Sequence, residues 1–563
     1  MNTKYQAIVI GAGMSGSWVA KELCEKGIQT LLLDRGPDVK HLADYPTSSK
    51  YPWEFPLRGR IPAEEAEANP IATQCYNYYE GSKHFFVKDS EHPYVQEKPF
   101  SWIRGYQVGG KSLLWARQVQ RWSQYDFDSP QMDKKSLEWP INYKDIEPWY
   151  DKVEEFIGVS GEYDGLDTLP DGKFLKSTGL SVVEKYFRDT VKENYKDRHV
   201  IYGRCAHLTE VKEIHKKQGR GKCQHRLICE RGCPFGGYFS ANSSTIPWAN
   251  KTGNLTLRAN SVVDSIIYDD KTKKAKGVVV FDRLTKERIE FEANVVFANA
   301  GAINTNLILL NSKSERFPNG IGNDSGLLGK YFAFHNYRAR MDSTTDKFAD
   351  KVIEGRNITN AYMPRFRNVT KKDSKFDRGY AIAIFTNRYI KEETEGFGQE
   401  LIDNLTAAKN YGPWRVHAMM MGETIPKESS SISLHPSLID DWGIPQIVTN
   451  VDYDENDQLM MEDFYQETEK MFGEAGFENI NRIDTGQAPG LDIHHMGGVR
   501  MGTSVANSLL NGDNQMHAVE NLYVTDGACM TSTGTQNPSL TFMALAARAA
   551  NHAIENLDIK NNI

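Results

Sequence analysis

The stretch that decides the fold is Ala7-Ile8-Val9-Ile10-Gly11-Ala12-Gly13-Met14-Ser15-Gly16, carried on to Thr30-Leu31-Leu32-Leu33-Asp34. Four apolar residues run into a glycine turn, Val19, Ala20 and Leu23 then recur at helical spacing, and a second apolar run closes on a carboxylate. That order opens a parallel βαβ unit. Gly11, Gly13 and Gly16 have the dinucleotide spacing: one glycine for the tight turn, one for backbone approach to a pyrophosphate, one for close helix–strand packing. With Ser15 in its first turn, the helix would present amides and a positive dipole end to the phosphates. Asp34, 23 residues after Gly11, stands where a carboxylate accepts hydrogen bonds from ribose hydroxyls. These residues leave FAD and NAD equally open.

Composition narrows the class. At 563 residues, two intertwined domains are the natural expectation, and 40% hydrophobic with 25% charged residues is ordinary for a globular protein. A net charge of −7 leaves no electrostatic footprint for nucleic acid. No apolar run approaches the roughly 18 residues of a membrane span. The chain enters its first strand at once, so it is read as lacking an export signal. Seven cysteines, an odd number, do not make a disulfide framework, yet three of them crowd into eleven positions.

Beyond the opening unit, residues 45–70 read as a long surface excursion. A helix is expected from near Asp145 through Ile157, stopped by Gly158 and Gly161. Ser261–Tyr268 and Gly277–Phe281 read as a hairpin, followed by a buried strand at Asn294–Ala298. Residues from about 330 to 490, such as Tyr380–Phe385 and Val416–Met421, alternate as an antiparallel sheet does. If the last segment returns to the first domain, the domains are discontinuous in sequence.

Three further segments resemble the glucose–methanol–choline (GMC) oxidoreductase family. Val108-Gly109-Gly110-Lys111-Ser112-Leu113-Leu114-Trp115 resembles its glycine-rich flavin loop. Asn299-Ala300-Gly301-Ala302-Ile303-Asn304-Thr305-Asn306 resembles its second signature, with Asn306 where proline is usual, and Asn521–Ala550 resembles its closing strand and helix. The resemblance implies an α/β fold: a Rossmann-like FAD-binding domain of residues 1–130, 200–330 and 490–563, with an α+β substrate domain of residues 131–199 and 331–489 on an antiparallel sheet. It implies FAD contacts at Gly109, Gly110, Ser112, Trp115 and Gly301, an adenine contact at Val263 and a ribityl contact at Asp526. No histidine or cysteine stands in residues 108–115 to tether the flavin, so the FAD is expected to be noncovalent.

Oxidising an alcohol removes a hydride and a hydroxyl proton, and histidine is the usual base near neutral pH. His494-His495-Met496-Gly497-Gly498-Val499-Arg500 resembles the family's catalytic-histidine motif, and counting back six places from the arginine selects His494. His495 is read as structural, and the other histidines, His335 among them, as core or surface residues. Asn537 resembles the second catalytic position, able to hydrogen-bond the substrate hydroxyl.

Cys223, Cys229 and Cys233, spaced C-x5-C-x3-C in the loop 205–240, depart from a plain member of the family. Soft thiolates suit an iron–sulfur cluster, and neighbouring basic residues are expected to favour the deprotonated form. Zinc held with His225, His215 or His207 is the structural alternative. Cys205 is a candidate fourth ligand for a 4Fe-4S cluster, while Cys24, Cys75 and Cys529 read as packing residues. The run Lys212, Lys216, Lys217, Arg220 and Lys222 reads as a solvated loop.

The C-x5-C-x3-C spacing is similar to that of a bacterial cluster-bearing branch of the family. That resemblance implies a 3Fe-4S cluster and a sugar or glycoside substrate, with C3 of a glucoside oxidised to a ketone, or C1 of glucose or a polyol or gluconate instead. It also implies a small subunit carrying the export signal, a periplasmic location and a c-type cytochrome acceptor. An oxygen-using oxidase with structural zinc and a flavin-dependent lyase are the alternatives of other classes.

Overall fold

In a computed structural model, which describes residues 3–351, 359–390, 396–407 and 411–559, the opening unit forms as read. The strand Lys4–Ile10 leads through the glycine turn into the helix Met14–Glu25 and back to the strand Thr30–Leu33. Ala7, Ile8 and Val9 are wholly buried, as a strand covered on both faces requires. Around it lies a sheet in the order Gln515–Met516, Val519–Val524, Arg288–Ala298, Lys4–Ile10, Thr30–Leu33, Leu255–Arg258. Its four central strands and Leu255–Arg258 run parallel: Ile10 sits beside Leu33 and Ala298, and Ala298 beside Val524. The hairpin Ser261–Asp269 and Lys274–Asp282 joins antiparallel to Arg288–Ala298. Segments from both ends and the middle of the chain therefore share one sheet. The helix Ser539–Asn556 packs against Met14–Glu25 and closes one face.

The second sheet is antiparallel, ordered Glu478–Asp484, Ala339–Thr345, Tyr411–Glu423, Tyr380–Ile390, Ala361–Met363, Ile201–Tyr202, with the short strand His335–Asn336 also paired to Tyr411–Glu423. Ile201–Tyr202 thus joins the second sheet. One face carries the helices Val182–Asn194 and Glu455–Glu474, through Val183, Phe187, Met460, Phe464 and Phe472. The other face buries Tyr337, Tyr362, Ala381, Ala383 and Met421. Cover on both sides explains why Tyr380–Ile384 is continuously buried where alternation was expected.

Local signals hold with small shifts. The helix expected near Asp145 runs from Tyr143 to Ile157; the Asn142 side chain accepts from Lys144 N, and Gly158 ends the helix at φ +77°. These are the cap and stop that such residue types favour. The surface excursion contains one short helix, Ala63–Ala68, and two 3₁₀ turns. Among the described residues no helix is long and apolar enough to cross a membrane.

Candidate active site

Four parallel strands end at one edge, at Ile10, Leu33, Ala298 and Val524, and each runs straight into a site segment: Gly11, Asp34, Asn299–Gly301 and Thr525–Asp526. A crevice beyond the carboxyl ends of parallel strands is where open α/β sheets bind ligands. Here it is a cavity lined by Gly11, Gly13, Ser15, Asp34, Gly110, Ser112, Trp115, Val263, Gly301 and Asp526, and also by His494 and Asn537.

The glycines divide the labour. Gly11 has φ +97°, and a Cβ there would lie 2.3 Å from the Asn299 carbonyl oxygen. A Cβ on Gly16 would lie 1.9 Å from the Gly11 carbonyl oxygen, so this glycine closes helix onto strand and does not line the cavity. Gly13 has open space before it. Gly109, at φ +92°, abuts the Asn242 side chain, and it too lies off the cavity wall. Gly16 is thus the helix–strand packing glycine of the motif, and Gly109 is a packing glycine where a cofactor contact was expected.

Three helices start at this cavity, after Gly13, Gly301 and Pro538. None has a side-chain cap or an acidic residue in its first turn. Their free amides and positive ends face a ligand space suited to negative charge. Asp34 accepts from Ala12 N at 3.0 Å and Gly36 N at 2.9 Å. Asp526 accepts from Gly301 N at 2.8 Å and the Thr305 hydroxyl at 2.6 Å, and burial pushes its carboxyl up to about 6. Both carboxylates brace the loops they line. The Ser112 hydroxyl accepts from Ala241 N, and the Trp115 indole donates to the Phe239 carbonyl, tying the 108–115 loop to the segment that follows the cysteines.

In the cavity wall His494 and Asn537 meet, with Asn537 Nδ2 3.3 Å from His494 Nε2. The opposite edge of the His494 ring, Nδ1, lies 2.9 Å from His335 Nδ1 and 3.3 Å from the Tyr337 hydroxyl. His335 is thus a neighbour of the candidate base, where it was expected to be an ordinary core or surface residue. Burial holds the His494 imidazole well below its usual pKa, helped by His335, Lys111 and His495, so the ring is neutral near pH 7. His495 also lines the cavity, but its Nε2 is engaged by the Gly490 carbonyl at 3.1 Å and its ring lies near Phe100 and Phe332. Lys111, also in the wall, donates to the Ile493 carbonyl, and burial lowers its ammonium to about 8. Asn537 Oδ1 is buried without a protein partner. A buried acceptor without a protein partner beside the His494 imidazole suits a ligand with hydroxyl groups.

Family models described as GMC oxidoreductase match residues 5–336 and 426–546. The chain belongs to the GMC oxidoreductase family. It is an oxidoreductase of a flavoprotein family, and its similar relatives act on alcohols and sugars. It is 24% identical to 2-methyl-1,2-propanediol dehydrogenase of Mycolicibacterium austroafricanum, over 97% of this chain and 94% of that one. It is 23% identical to paromamine 6'-oxidase of Streptomyces fradiae, over 97% and 90%. It is 23% identical to the fructose dehydrogenase large subunit of Gluconobacter japonicus, over 98% of both chains. The structure of pyridoxine 4-oxidase from Mesorbium loti shares the fold, with a TM-score of 0.58 at 14% identity over 98% of this chain and 99% of that one.

FAD fits the cavity of this GMC chain: a glycine wall open at Gly13, three unblocked helix starts and a bare polar acceptor match a dinucleotide that carries a redox ring. The residues that would hold it are the lining ones named above, Gly11, Gly13, Ser15, Asp34, Gly110, Ser112, Trp115, Val263, Gly301 and Asp526.

The cysteines lie apart from that cavity. Cys223, Cys229 and Cys233 are free thiols, and the charges of Cys223 and Cys233 both act on Cys229. His207 Nε2 is 3.7 Å from Cys229 Sγ, whereas His215 is occupied by Glu155 and Lys212. Cys205 is buried against Ser160 and Cys223, and Cys24, Cys75 and Cys529 are buried as expected. Among the described residues no group of three or more His, Cys, Asp or Glu side chains is gathered closely enough to hold a metal ion.

The basic residues that neighbour these cysteines in sequence are not the ones that act on Cys229. Burial pushes the Cys229 thiol up to about 11, and the opposing cation is Arg117. Lys216 points to solvent, while Arg220 is buried, donating to the Ile157 and Gly236 carbonyls, so the basic run is not wholly a solvated loop.

Proposed function

We propose that this GMC oxidoreductase is an FAD-dependent dehydrogenase that oxidises a ring hydroxyl of a sugar, C3 of a glucoside, to the ketone. The observation that carries the proposal is the His494–Asn537 pair, 3.3 Å apart, in the wall of the cavity that fits a dinucleotide. Bound FAD supplies the acceptor for the hydride that leaves carbon. His494 takes the hydroxyl proton as a neutral base. Asn537 offers Nδ2 as a donor to the substrate oxygen and the bare Oδ1 to a neighbouring hydroxyl, which orients a polyol and not a simple alcohol. Relatives named for 2-methyl-1,2-propanediol, paromamine and fructose support a polyhydroxylated substrate.

Cys223, Cys229 and Cys233 would hold a 3Fe-4S cluster, which supplies one-electron relay to an acceptor. Three soft donors within eleven positions of one loop support such a group, although the thiols as they stand are not gathered closely enough to hold it; a bound metal would displace thiol protons that burial otherwise retains. A c-type cytochrome as acceptor and a small subunit with an export signal complete the proposal, placing the complex in the periplasm; a relative named as a large subunit is consistent with such an assembly.

The test is an anaerobic titration of the holoenzyme with methyl glucoside, glucose, gluconate and fructose, with products analysed by NMR and with iron and labile sulfide determined per flavin. A 3-keto glucoside with iron present is the expected outcome. A lactone as the main product would move the oxidised carbon to C1, and protein free of iron would remove the cluster.

A further inference from the structure

We infer that His335 fixes the tautomer of His494, holding the hydrogen on Nδ1 so that Nε2 faces the substrate bare; this rests on the reading of His494 as the base and makes His335 a positioning residue.

The hydrogen-bond chain has a fixed end. His335 Nε2 lies 2.9 Å from the Gly534 carbonyl oxygen and 3.2 Å from that of Thr533. Carbonyl oxygens only accept, so Nε2 carries a hydrogen. His335 is fully buried without a carboxylate beside its ring, and burial lowers it to about 4. It is therefore neutral near pH 7 and its Nδ1 is bare. His494 Nδ1 stands 2.9 Å from that bare nitrogen. Two lone pairs at this separation repel, so His494 Nδ1 must be the donor. The neutral His494 ring then has no hydrogen on Nε2. Asn537 Nδ2, a donor 3.3 Å from Nε2, agrees with that assignment from the other side.

The backbone holds the two rings at this spacing. One carboxylate oxygen, Asp492 Oδ2, accepts from His335 N at 3.0 Å and from His494 N at 3.1 Å. Asp492 Oδ1 accepts from Gly490 N at 3.1 Å. His335 is further pinned by its pairing with Glu423 in the second sheet. Tyr337 cannot do the same work. Its hydroxyl, 3.3 Å from His494 Nδ1, both donates and accepts, so it accommodates either tautomer. With His335 gone, Tyr337 would be the remaining partner, and the hydrogen could move to Nε2, where the ring is no base.

The test compares His335→Leu, His335→Gln and Tyr337→Phe with wild type, and adds ¹⁵N-histidine NMR of the wild-type and Tyr337→Phe holoenzymes. His335→Leu should lower the rate of anaerobic flavin reduction at saturating glycoside by roughly 100-fold, the usual size of a general-base contribution, with substrate affinity unchanged. His335→Gln, whose Oε1 can accept from Nδ1, should recover most of the rate, and Tyr337→Phe should leave the His494 tautomer unchanged. The NMR should show a bare Nε2 on His494. A bare Nδ1 in wild type, or a Gln variant as slow as the Leu variant, overturns the inference. Wild-type rates in His494→Ala would instead refute the base assignment, while the NMR result would still report the tautomer.

Discussion

Alanine at Gly13 and at Gly16 should separate cofactor binding from folding, because the two glycines face different things. At Gly16 the added Cβ would sit 1.9 Å from the Gly11 carbonyl oxygen and 3.3 Å from Asn299 Cβ. The helix Met14–Glu25 would have to withdraw by about 1 Å from its strand, an overpacking that costs about 1–3 kcal/mol. At Gly13 the Cβ meets nothing within 4 Å, and φ of −72° is one that alanine adopts. Losing glycine from the N-cap costs about 0.5–1 kcal/mol, and the reduced freedom of the unfolded chain returns about 0.4–1 kcal/mol. The apoprotein should therefore be nearly unchanged by Gly13→Ala. Its new methyl stands in front of the first free amides, and a tenfold loss of FAD affinity corresponds to about 1.4 kcal/mol. Urea denaturation of the stripped apoproteins reads the first quantity, and fluorescence titration with FAD the second. Expected are a stable Gly13→Ala apoprotein that binds FAD at least about tenfold more weakly, and a Gly16→Ala apoprotein of lower stability. Wild-type FAD affinity in Gly13→Ala would refute the placement of the pyrophosphate against that wall.

Asn537→Ala should slow flavin reduction by about 10–100-fold while leaving FAD bound, since it removes one donor to the substrate oxygen and spares the base; rapid-mixing absorbance measures it. Cys229→Ser should leave substrate-driven flavin bleaching intact but lower the iron content and block reduction of a one-electron acceptor; unchanged cytochrome reduction would count against the electron route. Stability should fall in acid: the unfolded chain protonates histidine below about 6.5, whereas folded His335 does so nearer 4, so the unfolded state binds more protons between these values and stability drops as pH falls. From about pH 7 to about pH 5 the His335 share is about 2 kcal/mol, and urea titrations at both pH values should show a shallower loss in His335→Gln. An equal loss in the two proteins would remove His335 from that pH dependence.

What was legible in the chain was local. The strand, glycine turn, helix and acid of residues 7–34 are specified by neighbours in sequence, and so are the cap at Asn142 and the stop at Gly158. His494 was found by its distance from Arg500, although the Arg500 guanidinium lies over the Tyr331 ring and points away from the site. His335 carried no such signal: its partner lies 159 residues on, joined through the Asp492 carboxylate and a strand pairing. Gly109 matched a cofactor motif yet serves packing, because a spacing does not say which side of a glycine faces open space. The basic residues beside the thiols in sequence do not act on Cys229, which burial and Arg117, over a hundred positions upstream, govern. Long-range proximity and desolvation are what a one-dimensional pattern omits.

The central claim is that His494, in the wall of the cavity that fits FAD, serves as base in oxidising a sugar hydroxyl. Anaerobic mixing of wild-type holoenzyme and His494→Ala with methyl glucoside, following oxidised flavin absorbance, tests it most directly. Wild type should bleach, and the variant should retain FAD yet stay oxidised. Equal bleaching in both proteins, or a wild-type flavin that stays oxidised with every sugar tried, would contradict it.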